Sequence, residues 1–152
     1  MYRYSVAGRC AATGAAADQA GAVLWNASTT KIIYCIEISG FTVSAVAWAL
    51  QLIRTSNRGS TPGSTVTPDI DNHRDRLLAP QSGALLDLSQ YITAPTVQGP
   101  AMARTHLGAV TGSAFGWVFN PPIAIPAGTG LAIANVPATA GPTMDFTFVW
   151  EE

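Results

Sequence analysis

The stretch of sequence that decides the fold lies at residues 123–152 and reads IAIPAGTGLAIANVPATAGPTMDFTFVWEE. In its last part, large apolar side chains occupy every second position from Met144 to Trp150, and smaller or polar side chains occupy the positions between. Successive side chains of a strand point to opposite faces of a sheet, so this alternation predicts a strand with one buried face. Ahead of it, the segment PAGTG at 126–130 combines a fixed φ with two glycines, which is typical of a turn. The sequence therefore predicts a β-structure that this final strand closes.

Short apolar segments separated by Gly and Pro recur along the rest of the chain, and the alternation is clearest between Lys31 and Ile38. Short strands with frequent turns favour an antiparallel sandwich or barrel. The length of 152 residues suits one domain. We therefore predict an all-β fold in a single domain. The predicted strands are Tyr2–Gly8, Ala22–Trp25, Lys31–Ser39, Thr42–Thr55, Leu85–Ser89, Ala103–Leu107, Phe115–Phe119, Gly130–Val136 and Met144–Trp150.

The segment FTVSAVAWALQLIR at 41–54 is ambiguous between helix and strand. Apolar residues recur between Val43 and Ile53 at a spacing that also fits a helical stripe, and Ala is the best helix former. We favour a long strand within Thr42–Thr55, because the other segments behave as strands and an isolated helix would need a sheet face to cover. The residues predicted to share one face of this strand are Val46, Trp48, Leu50 and Leu52.

The composition predicts self-association. Charged residues make up 11% of the chain and hydrophobic residues 48%, whereas charged residues reach about 25% in ordinary soluble domains. A small monomer exposes most of its surface to water, so this weak charge indicates that part of the surface is covered. We therefore expect a homo-oligomer or a component of an assembly.

Nucleic acid and membrane are not expected as partners. A nucleic-acid-binding protein usually carries clustered Lys and Arg, whereas this chain has one lysine, Lys31, scattered arginines and a net charge of −1. The longest apolar candidate, Phe41–Ile53, is shorter than the roughly 20 residues that a membrane-spanning helix needs. The first residues, MYRYSVAGR, lack the apolar core of a signal peptide.

The densest polar cluster lies in a long predicted loop at about 56–76, and loops of that length usually have a function or form a contact surface. Carboxylates at alternate positions resemble the oxygen ligands of a calcium loop, but the Gly and the final bidentate Glu of an EF-hand are missing. We therefore interpret the cluster as a solvated loop, or one that contacts a neighbouring copy, and predict no metal. Its members are Asp69, Asp71, His73 and Asp75.

No catalytic arrangement is recognisable in the sequence. His73 and His106 are the only two histidines, no GxSxG motif accompanies them, and two distant histidines do not make a zinc site. We expect His106 to lie partly buried in a strand. The sequence thus predicts neither an enzyme nor a cofactor.

Cysteines and tryptophans are interpreted as core residues. Cys10 and Cys35 show no metal-binding spacing, and we expect both to be buried thiols and not a disulfide. The tryptophans lie in predicted strands, where they are expected to fill the core. The alternative is a platform that stacks on a sugar. The four are Trp25, Trp48, Trp117 and Trp150.

Seven short phrases spread over almost the whole chain carry a family resemblance. They are YRYSVAGR at 2–9, VLWN at 23–26 with TTK at 29–31, RTSNRGSTPGSTVTPDIDN at 54–72, SGALLDLS at 82–89, QGPAMAR at 98–104, IPAGTGLAI at 125–133 and FTFVWEE at 146–152. Together they resemble virion proteins of tailed bacteriophages, specifically jelly-roll decoration or cement proteins of the capsid. No catalytic motif accompanies the resemblance.

The resemblance implies a single jelly-roll-like β-sandwich over residues 1–152, with an N-terminal arm at about 1–9. It implies a homotrimer that binds the major capsid protein at the outer surface of the virion and stabilises the shell. The alternative is a tail fibre, knob or baseplate component that binds a host surface glycan. We expect the arm or the long loop to contact the capsid. The candidate contact residues are Met1, Tyr2, Arg3, Tyr4, Arg74 and Arg76.

Overall fold

The computed structural model describes residues 1–14, 17–60, 64–66, 82–88, 93–136 and 138–152. These residues contain no helix and fold as two antiparallel sheets packed face to face, which confirms the predicted all-β sandwich. The strands are β1 (Arg3–Cys10), β2 (Ala20–Asn26), β3 (Ile33–Thr42), β4 (Trp48–Thr55), β5 (Ser64–Val66), β6 (Ala84–Leu88), β7 (Val97–Leu107), β8 (Ala114–Ile125), β9 (Gly130–Asn135) and β10 (Met144–Glu151).

The strand order is that of a jelly roll. One sheet has the order β1-β10-β3-β8, and the other has the order β5-β6-β2-β9-β4-β7. The pairs β1–β10, β2–β9, β3–β8 and β4–β7 nest inside one another. The chain thus behaves as one long hairpin, with β5 and β6 at its tip, that wraps around itself into two sheets.

Strand β10 has the alternation that the sequence predicts. Met144, Phe146, Phe148 and Trp150 are all buried between the sheets, whereas the residues between them are half-buried. The strand lies in the middle of its sheet, paired with β1 on one side and β3 on the other. Its inner face therefore meets the opposite sheet along its full length.

Strand β3 changes face at an irregularity. Cys35 and Glu37 pair with the consecutive residues Trp150 and Val149 of β10, so Ile36 is an extra residue, and the register with β8 shifts at the same place. As a result Cys35 and Ile38 both face the core, although they are three positions apart and strict alternation would separate them.

Strand β4 is shorter than predicted. The segment 48–55 is a strand, so the helical alternative is wrong there. Trp48, Leu50 and Leu52 share the core face as expected. Val46 does not, because residues 43–47 form the connection from one sheet to the other and leave Val46 43% exposed.

The residues of the expected N-terminal arm form strand β1, Arg3–Cys10, which overlaps the strand predicted at Tyr2–Gly8. The strand pairs with β10 from Arg3 opposite Glu151 to Cys10 opposite Met144. Tyr4 is fully buried, and its ring lies 5.8 Å from that of Trp150 with the two planes 16° apart. The segment alternates like a strand and therefore forms part of the sheet.

The long loop predicted at 56–76 is described only in part. Strand β5 lies inside it and pairs with β6, where Thr65 stands opposite Asp87. The remaining candidates of this loop lie outside the described residues. They are Asp69, Asp71, His73, Asp75, Arg74 and Arg76.

The tryptophans occupy three different environments. Trp48 and Trp150 are buried between the sheets, as expected. Trp25 is buried on the other face of the six-stranded sheet, in a smaller apolar cluster with Val23 and Ile53. Trp117 is only half-buried, because it lies on β8 at an edge of the sandwich.

Both cysteines are buried thiols and form no disulfide, as predicted. Burial raises the pKa of the Cys35 thiol to about 12. Since the thiolate is the reactive form, we expect a thiol reagent such as DTNB to label the native protein no faster than it unfolds. In denaturant both cysteines should react at once. A Cys35→Ala variant reports on Cys10 alone, and immediate labelling of the native protein would contradict the prediction.

Candidate interaction surface

The outward side of the four-stranded sheet forms a broad surface, which we call the outer sheet face. Register places its residues in four transverse rows across β1, β10, β3 and β8. Their neighbours in sequence point inward to the core. The rows are Arg3, Glu151, Tyr34 and Ala124; Ser5, Val149, Glu37 and Val118; Ala7, Thr147, Ser39 and Gly116; and Arg9, Asp145, Phe41 and Ala114.

Two ion pairs fix one margin of the outer sheet face. Arg9 donates two hydrogen bonds to the Asp145 carboxylate, of 2.6 and 2.8 Å, and Arg3 donates two to Glu151, of 3.1 and 2.8 Å. The hydrogen bond from Arg9 lowers the pKa of Asp145, and the same contact raises the pKa of Arg9. Exposed pairs of this kind contribute little stability. Their effect here is to hold four charged groups flat against β1 and β10.

The middle of the outer sheet face consists of small and apolar residues around one charged residue, Glu37. The small residues Thr147, Ser39 and Gly116 lie side by side in one row. In the next row Glu37 lies between Val149 and Val118, and Val118 is 73% exposed. A surface of small and apolar residues with a single charged group is suited to packing against another protein.

A second unusual surface lies where β7 and β8 end their sheets, which we call the β7–β8 side. Here the inward-facing rings of Phe115, Trp117 and Phe119 pack against the core but are only half-buried. The rings of Phe115 and Trp117 are 4.8 Å apart. Sequence reasoning assigned Trp117 to a closed core and missed this surface, because alternation identifies an inward face but not whether the sandwich is covered at that edge.

The sequence-predicted contact residues are not equivalent in the structure. Met1 is 78% exposed, and Arg3 is exposed on the outer sheet face. Tyr2 is half-buried, and its backbone pairs with Glu152. Tyr4 is fully buried, so its side chain cannot contact a partner.

His106 is exposed on β7, opposite Ala49, and is not partly buried as predicted.

Within the described ranges, no group of three His, Cys, Asp or Glu side chains is placed to hold a metal ion. The same part of the chain contains no helix long and apolar enough to cross a membrane. A hollow on the outer sheet face, beside Arg9 and Phe41, is open to solvent.

Comparisons with known proteins do not assign the chain to a family. No protein-family model matches it, and neither the curated proteins nor the solved structures include a significant match. A functional interpretation therefore rests on the surfaces described above.

Proposed function

We propose that this protein is a structural component of a tailed-bacteriophage virion, a capsid decoration protein that binds the outer surface of the shell as a homotrimer. The observation that carries the proposal is the outer sheet face, an exposed surface whose charged groups, apart from Glu37, are held in ion pairs at one margin. The jelly roll alone does not decide the function, because viral capsid proteins, lectins and cupins share it.

The outer sheet face is the surface we assign to the major capsid protein. Apart from Glu37, its charged groups are held in ion pairs at the β1–β10 margin, so the rest of the middle has no charge to dehydrate. Glu37 supplies one carboxylate in this middle, between Val149 and Val118, for an Arg or Lys of the shell. Each contact is modest, but three engaged at once in a trimer raise the overall affinity strongly.

The location of the protein on the virion tests this function. A cryo-EM map of the virion is expected to show the chain at threefold and quasi-threefold positions of the shell, with β1 and β10 towards the capsid. Density on the tail alone would overturn the proposal in favour of the alternative, a tail component that binds a host glycan. Density in neither place would overturn both.

A point substitution tests the contact itself. Glu37→Lys reverses the charge in the middle of the outer sheet face and is expected to lower the occupancy of the protein on capsids at least tenfold. Ser64→Lys, on exposed β5 of the other sheet, adds the same side chain and should leave occupancy unchanged. Occupancy is measured by quantitative gel analysis of purified capsids. Equal occupancy of both variants would exclude the outer sheet face as the contact. Deleting Met1–Tyr4 is a poorer test, because it removes Tyr4 from the core.

A further inference from the structure

The β7–β8 side exposes two strand edges that run in opposite directions between the same two ends of the sandwich. Ala114 of β8 pairs with the end of β3, and Leu107 of β7 pairs with the start of β4. Since β3 passes into β4 through residues 43–47, Leu107 and Ala114 lie at one common end. The connection 108–113 joins them there, and β7 and β8 contact each other.

Both strands lack a second neighbour in the part of the chain that the structure describes. There β8 pairs only with β3, and β7 only with β4. Each has a regular five-residue segment near the common end, which is Ala103–Leu107 in β7 and Ala114–Val118 in β8. The outer N–H and C=O groups of these segments are suited to pairing with another strand.

The usual protection against strand pairing is weak on β8. Edge strands are commonly guarded by charged side chains, proline or a short length. Strand β8 has 12 residues without a charged side chain, and its two prolines, Pro121 and Pro122, lie beyond the regular segment. The rings of Phe115 and Trp117 stay half-buried beside this edge, whereas Phe146 and Phe148 on the same inner face are 1% and 0% exposed.

We propose that the β7–β8 side is the interface between copies of this chain, with the β8 edge of one copy pairing antiparallel with the β7 edge of the next. Rotation about an axis along the strands keeps the direction of each strand. Since β7 and β8 run oppositely within one copy, β8 meets β7 of the neighbour in the antiparallel sense. This single type of contact pairs both edges of every copy, and contacts between two different surfaces close into a ring when the rotation between neighbouring copies closes.

This inference rests on the proposed function for the number of copies, which is three, whereas the pairing of the two edges is argued from the strands themselves. In a ring of three, the Phe115 and Trp117 rings of all copies come together near the axis and lose their exposure to water. The outer sheet faces remain free, so the same trimer presents three capsid-binding surfaces.

Sedimentation of the full chain tests the interface. The wild-type protein is expected at three times the 15.8 kDa chain mass. Val118→Lys places a lysine at a position that is 73% exposed, so the fold tolerates it, while a lysine on an edge strand opposes pairing. We expect this variant to weaken association at least tenfold and to sediment as a monomer at low micromolar concentration. Ala7→Lys, exposed on β1 at the opposite edge of the same sheet, should remain trimeric.

Hydrogen exchange provides a second readout on the same proteins. Amides of Ala114–Val118 and Ala103–Leu107 should be more protected in the wild-type trimer than in the Val118→Lys monomer. A wild-type monomer or dimer would overturn the inference, as would a Val118→Lys trimer with unchanged protection. A wild-type monomer that still occupies capsids would retain the proposed function and discard this interface. A trimer with these protected edges that does not occupy capsids would retain this interface and discard the proposed function.

Discussion

Trp150→Ala is expected to lower the free energy of unfolding by about 3–5 kcal/mol, the usual cost of deleting a buried Trp side chain. Trp150 is fully buried in the middle of its sheet, where it stacks on Tyr4. Its indole Nε1 donates a 3.1 Å hydrogen bond to the Ser82 hydroxyl, which the substitution also removes. Small domains have a total stability of about 5–15 kcal/mol, so the variant should unfold well below the wild-type temperature.

The measurement is urea unfolding followed by far-ultraviolet circular dichroism, at one protein concentration because self-association affects apparent stability. Val149→Ala is the matched control, since Val149 is the preceding residue of β10 and points to the outer sheet face. It should cost less than about 1 kcal/mol. Equal losses for the two variants would mean that the inner face of β10 is not the stabilising one.

The alternation rule succeeded where a strand has one buried and one open face. Strand β10 is such a strand, and its inner residues were predictable because Phe146 and Phe148 stand at even spacing. Strand β3 follows the rule only as far as its irregularity near Cys35. The rule cannot reveal an inserted residue such as Ile36, because the extra position depends on pairing with β10, which is distant in sequence.

The ends of a strand were predictable only where nearby residues, such as Gly and Pro of a turn, determine where the strand stops. Strand β8 continues to Ile125 through Pro121 and Pro122, although prolines normally indicate a turn. Proline is tolerated there because Pro121 and Pro122 lie in the irregularity of the β3–β8 pairing, between Val118 and Ile123, where neither has a partner on β3. Strand β4 shows the opposite error, since it begins later than predicted. Val46 continues the apolar pattern of that strand but lies in the connection between the sheets.

The nested pairing and the surfaces could not be predicted from local pattern. The pairing of β1 with β10 joins residues at opposite ends of the chain. Buried polar contacts have the same long range, since Asn135 accepts hydrogen bonds of 2.8 Å from Thr13 and 2.6 Å from Trp48 Nε1. Composition did indicate covered surface, but whether it is the outer sheet face or the β7–β8 side depends on which strands lie at the sheet edges.

Arg58→Met is expected to destabilise the protein by about 3–5 kcal/mol, because it leaves a buried carboxylate without its cation. Asp87 is fully buried on β6, and Arg58 donates two hydrogen bonds to it, of 2.5 and 2.7 Å. Thr65 adds a 2.7 Å hydrogen bond to the same carboxylate. A single hydroxyl cannot replace the guanidinium, so the charge of Asp87 would be poorly compensated in the folded state.

A double-mutant cycle separates the pair from simple loss of packing. Arg58→Met combined with Asp87→Leu removes both charges, and it should be clearly more stable than Arg58→Met alone. The matched control is Arg9→Met, because Arg9 and Asp145 form the same two-point contact at the surface, where Arg9 is 61% exposed. Water solvates Asp145 when Arg9 is removed, so this variant should unfold at nearly the wild-type urea concentration. If both single variants lost the same stability, burial of Asp87 would not be what makes its arginine necessary.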